Sequence, residues 1–391
     1  MSKKLLAAAI AAALAPAAVM AEASNVTIYG RIDYGFMSRG GDDAVQAGRT
    51  GRLNDFEDGI LGTNRFGFKG SEDLGNGLKA IYEFEFGFSG DSGTSFGSAT
   101  NRHSWVGLTG AFGTALGGRV DGARYSFVGK YDPFKNQTVA NAGSLFGRTS
   151  GLGQADRADN AVVYITPEVA PGLKFLAAYT TSLLAEGGSG AQVGGVDIET
   201  GDTPLYAVAA MYDNGPISLL LDYENLKIKR GNNLTGSDME YDLWVAGGSY
   251  DFGVVKLMAY YENTKGSNRA SRGDVAGITA PTSDGDGWLV GLEAPVTSNI
   301  KLKASYVQAN DDRTTQSDCS KWGFGGEYAF SKRTTAYATY AKINNDRGAR
   351  CGITKNAVGG GANPNAVNSD GDLTNNAYGD SGFNIGLAHT F

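Results

Sequence analysis

Gly77 to Phe88 reads GLKAIYEFEFGF. Leu78, Ala80, Tyr82, Phe84, Phe86 and Phe88 fall on one side of a two-residue period, with Lys79, Glu83 and Glu85 on the other. Successive side chains of a strand point to opposite faces, so this stretch is a strand with one greasy face and one charged face. A soluble sandwich has no need of so long an apolar row with glutamates directly behind it. A closed barrel with lipid outside and water inside has that need.

The same alternation recurs on both sides of this stretch. Upstream, Val26, Ile28, Ile32, Tyr34 and Phe36 oppose Thr27, Tyr29, Arg31 and Asp33. A polar loop over about 38–63 separates that strand from Arg65-Phe66-Gly67-Phe68-Lys69, and the Gly-rich turn Asp73–Gly77 leads into the quoted stretch. Further strands are expected near 101–109, 113–121, 157–166, 172–182, 204–213, 216–229, 240–251, 254–264, 286–294, 300–310, 320–330, 333–344 and 378–391. The total is sixteen, an even number that brings both chain ends to one rim of an antiparallel barrel. Short turns alternate with longer polar connections, the asymmetry of an outer-membrane barrel. In the last strand Phe383, Ile385, Leu387, His389 and Phe391 share the greasy face, and the chain ends on the aromatic.

Composition agrees. The 391 residues include 58 Gly, 19 Tyr and 18 Phe but only 9 Pro and 2 His. Glycine stands at roughly twice its usual share of about 7 per cent, as many short strands and tight turns require. At the N-terminus, Lys3 and Lys4 precede the apolar run Leu5–Val19 and the small residues around Ala21. This reads as a signal peptide over 1–21, cleaved after Ala21, with Ala23 as the second choice of cut. It leaves 22–391 as one barrel. No later stretch resembles a membrane helix, and only helices and closed barrels satisfy the whole backbone in lipid. Without Lys3 and Lys4 the chain has 32 Lys and Arg against 41 Asp and Glu, a formal charge of −9 that argues against a nucleic-acid partner.

Between the strands ending near Asp121 and starting near Arg157 lies a connection, about 122–156, that carries Phe127, Tyr131, Pro133, Phe134, Leu145 and Phe146. Exposed loops do not carry so many apolar rings without packing them, so this third loop is expected to fold into the lumen and set the pore's width. Charges on strands are expected to face inward, because a charge on the lipid face near the midplane costs roughly 2–4 kcal/mol. Arg31, Arg65, Lys69, Glu83, Glu85 and Arg157 point inward by pattern; Trp105, Val106 and Leu108 break the alternation beside Arg102. Cys319 and Cys351 flank a predicted hairpin at one end, which allows a disulfide, with free loop thiols as the alternative. Asp284-Gly285-Asp286 and Asp370-Gly371-Asp372 lack the spacing of a calcium loop and read as solvated turns; neither a metal nor another cofactor is expected.

Several separated blocks resemble one family. NVTIYGRIDYG (25–35), RFGFKGSEDLGNGLKAIYEFE (65–85), RHSWVGLTGAFGTALGGRVDG (102–122), YDPF (131–134), RADNAVVYITP (157–167) and the terminal Phe391 are similar to the general porins of Gram-negative outer membranes. The likeness is closest to the beta-proteobacterial and Neisseria-like subfamily. It implies an all-β fold, a sixteen-stranded transmembrane barrel assembled as a homotrimer in outer-membrane lipid and lipopolysaccharide, with the third loop as constriction. It places Arg65, Arg102 and Arg157 at the family's arginine cluster, Glu85 at a wall glutamate and Asp132 in the loop block. It further implies passive diffusion of ions and small hydrophilic solutes with a weak anion preference, and a terminal Phe391 read by the outer-membrane assembly machinery.

Two other functions set the comparison. A substrate-selective channel would carry an aromatic slide along the lumen, whereas most aromatics here lie on the outward face. A barrel hydrolase needs a base such as His, and only His103 and His389 exist; on a strand His103 and Ser104 point to opposite faces. The reading is therefore a channel and not an enzyme.

Overall fold

The computed structural model describes residues 25–41, 51–91, 100–149, 157–181, 183, 191–193, 196–198, 203–228, 239–267, 284–312, 318–346, 351–355 and 378–391. The signal stretch 1–21, the end of the third loop at 150–156 and Asp370-Gly371-Asp372 lie outside these residues. β1 (Asn25–Gly40), β2 (Leu53–Asp58), β3 (Arg65–Gly75), β4 (Leu78–Gly87), β5 (Thr100–Gly110) and β6 (Gly113–Asp121) precede two short helices, Ala123–Tyr131 and Gly143–Thr149. β7 (Arg157–Ile165) and β8 (Leu173–Thr180) follow, then a small ribbon of β9 (Ala191–Val193) and β10 (Val196–Ile198). The wall continues with β11 (Leu205–Asn214), β12 (Ile217–Ile228), β13 (Met239–Asp251), β14 (Lys256–Ser267) and β15 (Gly285–Pro295). It ends with β16 (Ile300–Asp311), β17 (Cys319–Ala329), β18 (Thr334–Asn345) and β19 (Ser381–Thr390).

Neighbouring wall strands pair antiparallel throughout, and the sheet closes where β1 meets β19, from Arg31 opposite Thr390 to Gly40 opposite Ser381. Gly30 and Phe391 extend the seam by exchanging two backbone hydrogen bonds of 3.1 Å, so no edge is left open. One correction concerns the expected loop over 38–63. β1 runs on to Gly40, and β2 pairs with Tyr34 to Arg39 while β3 pairs with Asn25 to Arg31. The two strands share one partner and count as one interrupted position, which makes the wall sixteen-stranded. β2 reads LNDFED, four polar residues in six, and so shows no apolar row to announce it. The turn between β3 and β4 is the expected one: Gly75, Asn76 and Gly77 all take positive φ, at 87°, 53° and 77°.

Burial is inverted relative to a soluble protein. Val26, Ile28, Val162, Leu219, Leu221, Trp244, Val290, Phe324 and Ile385 are exposed on the outer face. Asp33, Glu85, Asp222, Glu262, Glu293, Lys303, Lys321 and Asn384 are buried on the inner face. Apolar outside and charged inside is what lipid and water select in a barrel. Among the described residues no helix is long and apolar enough to cross a membrane.

The connection after β6 lies on that inner face. Phe127, Tyr131, Phe134, Leu145 and Phe146 are all buried. Tyr131 lies over Gly247 of β13, Phe146 over Gly287 of β15, and their ring carbons come within 2.5 and 2.6 Å of where a β-carbon would stand. Ala140 sits in the same way over Gly323 of β17. Glycine is needed at these positions because the loop's side chains touch the wall's backbone. Beyond them, the Val139 N–H donates to Asn384 of β19 at 3.1 Å, and the Thr138 N–H donates to the Ile60 carbonyl at 2.8 Å. The segment thus follows the wall from β13 round to β19 and the β2–β3 junction, and its first helix also borders the inner face of β4 to β7, where Tyr125 meets Arg157.

Candidate functional site

The charges on the inner wall from β1 to β7 form one connected array. Glu85 of β4 meets Arg102 at 2.5 Å and Arg65 at 3.4 Å. Tyr29 donates its hydroxyl to Glu83 at 2.5 Å and to Glu85 at 3.1 Å, while Lys69 lies 5.0 Å over its ring. His103 stands between Glu83, 3.2 Å from Nδ1, and Asp121, 3.0 Å from Nε2. Arg157 closes the far end, 2.7 Å from Asp121 and 5.1 Å over the Tyr125 ring. Arg31 faces Arg65 across the β1–β3 pairing and donates to the Leu61 carbonyl at 3.1 Å.

A bulge decides the β5 end of this array. Glu85 pairs with His103 but Phe86 pairs with Asn101, so Arg102 is the extra residue and both Arg102 and His103 reach inner-face carboxylates. This explains the broken alternation beside Arg102. Val106 and Leu108 resume the outward face beyond it.

Next to the array, buried ionic contacts fix the loop. Arg124, on the first helix, binds Glu262 of β14 through Nε at 2.8 Å and Nη2 at 2.7 Å, and its own N–H donates to Glu224 of β12 at 2.8 Å. Tyr260 adds a 2.9 Å bond to Glu262. At the second helix, Lys321 of β17 donates to the Asn141 carbonyl and, at 2.6 Å, to the Ser144 hydroxyl. The loop leaves Lys135 open to water, on a residue held at φ 53°. The surrounding pore wall and repulsion from Lys303 hold the Lys135 ammonium below the ordinary lysine value.

Comparison with known proteins fits this geometry. The sequence profile of the Gram-negative porins matches residues 7–348. An outer membrane porin protein of Bordetella pertussis is 32% identical over 372 residues, covering 86% of this chain and 93% of that protein. The chain belongs to the Gram-negative porin family. Outer membrane porin protein 32 of Delftia acidovorans is 29% identical over 347 residues, covering 86% of this chain and 88% of its own length. Among solved structures, an anion-selective porin from Comamonas acidovorans superposes with a TM-score of 0.73 at 23% identity, over 94% of this chain and 100% of that one. The porin is an outer-membrane barrel through which ions and small hydrophilic solutes diffuse passively.

Most of the residues singled out in the porin's sequence come together: Arg31, Arg65, Lys69, Glu83, Glu85, Arg102 and Arg157 all join the wall array. Asp132 does not. Its carboxylate is 1% exposed and turned into the loop, where it accepts the N–H groups of Phe134 at 2.9 Å, Asn136 at 3.0 Å and Ala142 at 2.9 Å. Burial lifts its carboxyl above the ordinary aspartate value against the pull of those three amides. Asp132 therefore organises the loop and puts no charge in the lumen. Asp132→Ala is expected to cost about 1–3 kcal/mol for each stranded donor, read as a lower thermal midpoint of the folded barrel.

Tyr29, Asp121, His103, Arg124 and Lys135 are the members that the sequence pattern did not single out. Asp121 had a usable signal, as a charge on a strand, whereas the inward turn of His103 comes from a bulge that only the β4–β5 pairing reveals. Arg124 and Glu262 had none, because they meet across 138 residues. Glu83, Glu85 and His103 bring ligand-type atoms within 4.8 Å of one another, but Tyr29, Arg65 and Arg102 already engage their carboxylates. Asp286, read from sequence as part of a solvated turn, instead lies on β15 and accepts a hydrogen bond from Asn310 at 2.9 Å. Cys319 and Cys351 are joined in a disulfide, with 6.4 Å between their Cα atoms.

Proposed function

We propose that the segment 122–156 is the constriction of this porin and that the passage beside it prefers anions. The observation that carries this is the charge balance of the array. Arg31, Arg65, Lys69, Arg102 and Arg157 on the wall, with Lys135 on the loop, outnumber Glu83, Glu85, Asp121 and Asp33; the first three are each spent on a cation or His103, and Asp33 accepts from Tyr337, Leu61 and Gly62. Fixed positive charge lining a narrow aqueous passage between low-dielectric walls raises the local anion concentration.

The test is the reversal potential of purified trimer in a planar bilayer under a salt gradient. Replacing Arg65, Arg102 and Arg157 together by Gln removes three cations and leaves Glu85 and Asp121 without their arginines. The anion-to-cation permeability ratio is expected to fall by about threefold or more. Unchanged selectivity would show that the array is ordinary lumen lining. Lys135 adds a pH signature. It should lose its charge at a pH below the ordinary lysine value of 10.5, so anion preference should start to fall there in the wild type. In Lys135→Met that early step should be missing.

The same reading assigns residues 1–21 to a cleaved signal, Phe391 to recognition by the assembly machinery, and the assembled state to a homotrimer in lipid and lipopolysaccharide. It assigns no catalysis. Both ring nitrogens of His103 face carboxylates, and His389 meets Thr334 on the outer face at 2.9 Å, so neither is poised beside an activated nucleophile.

A further inference from the structure

Five residues that follow β18 lie inside the barrel mouth. Cys351 is bonded to Cys319, the first residue of β17, across a sequence separation of 32. Asn345, the last residue of β18, fixes the same point: its Oδ1 accepts the Cys351 N–H at 2.8 Å and its Nδ2 donates to the Cys351 carbonyl at 3.1 Å. From that anchor the chain runs onto the loop. Ile353 is 0% exposed and lies with Val139 against the inner face of β19, over Gly382. Its N–H donates to the Gly379 carbonyl at 3.0 Å, and its carbonyl accepts the Tyr378 N–H at 2.9 Å.

The next residue meets the hub of the loop's second half. Asn141 Nδ2 donates to the Thr354 hydroxyl at 3.1 Å and to its carbonyl at 3.3 Å. The same Asn141 offers its carbonyl to Lys321 and its Oδ1 to the Ser144 N–H at 2.9 Å. Lys355 then reaches across the mouth to Glu57 at 2.8 Å and Asp58 at 3.3 Å on β2.

We propose that Cys351–Lys355 is a strap that positions the constriction, with the disulfide holding Ile353 and Thr354 down on Val139 and Asn141. The inference rests on the reading of 122–156 as the constriction. Its physical basis is effective concentration. A few hydrogen bonds by themselves hold a five-residue segment only part of the time, whereas a covalent tether returns the strap to its seat each time it lifts.

The experiment records single channels of the wild-type porin in a planar bilayer before and after a water-soluble phosphine is added. The phosphine gives two electrons to the sulfur–sulfur bond, leaving two thiols and the phosphine oxide, whose oxygen comes from water. A thiol count on the same preparation establishes that the bridge has been reduced. Expected are a rise in conductance and in open-channel current noise, with brief sub-level transitions. Cys319→Ser with Cys351→Ser should show the same noisy current from the start and ignore the phosphine.

A second variant leaves the bridge intact. Thr354→Val removes the hydroxyl acceptor and should raise the noise, while Thr354→Ser, which keeps it, should be quiet. Reduced and oxidised channels with superimposable currents, or noise that Thr354→Ser fails to quiet, would overturn the strap. Its failure is separable from failure of the constriction reading: the former leaves the arginine triple variant with altered selectivity, and the latter leaves that selectivity unchanged.

Discussion

Arg124→Met is expected to release the first half of the constriction segment from the wall. Arg124 binds Glu262 through two guanidinium nitrogens, and it holds Glu224 through its backbone N–H. Removing one partner of a buried, hydrogen-bonded pair leaves the other charge uncompensated, and about 3–5 kcal/mol is lost in such cases. The wall cannot yield, because Glu262 and Glu224 sit on paired strands of a closed sheet. The helix Ala123–Tyr131 is the part free to move. The measurable result is a larger single-channel conductance with more frequent sub-level closures, from a barrel whose strand content is unchanged.

The control is the paired change. Arg124→Met with Glu262→Met takes away the stranded charge together with its partner, and apolar replacement of a buried ion pair is often close to neutral. The double variant should therefore recover most of the wild-type current pattern, with a coupling energy of about 2 kcal/mol or more between the two sites. A double variant as noisy as Arg124→Met alone would mean that the ion pair does not hold the helix.

The wall was readable because lipid and water impose a two-residue period on every strand, and a charge that breaks it is penalised. GLKAIYEFEFGF shows its apolar row without interruption, and Phe84 and Glu85 take the outward and inward places that its alternation requires. Legibility stops where the period stops. β2 was hidden because LNDFED shows no apolar row, and the side-chain direction beside Arg102 was hidden by a bulge that only the pairing with β4 reveals. In the loop, Phe127, Tyr131 and Phe146 signalled that something must cover them, yet nothing local signalled the glycines that receive them. The direction of Asp132 was not legible for the same reason: with no strand period, a carboxylate beside a pore has no preferred side until the turn that it caps is known.

Those glycines give the second large expected effect. At Gly247 a β-carbon would stand 2.5 Å from the Tyr131 ring, so Gly247→Leu places a branched side chain where the ring now lies. Overpacking of this kind costs about 1–3 kcal/mol even where neighbours adjust. Here the displaced ring also gives up its 3.0 Å hydrogen bond to Ser218. Gly248 is the matched control, because its neighbour is the Leu219 side chain at 3.3 Å on the outer face. Gly248→Ala should leave the current unchanged while Gly247→Leu opens and destabilises the passage. Tyr131→Ala separates seating of the loop from damage to the strand. In the wild type it empties the seat on β13 and should cost about 3 kcal/mol or more. In Gly247→Leu the seat is already filled, so the same truncation should cost little and should restore a steady current. Additive effects of the two changes would place the damage in β13 itself, and the ring over Gly247 would then be packing without control of the pore.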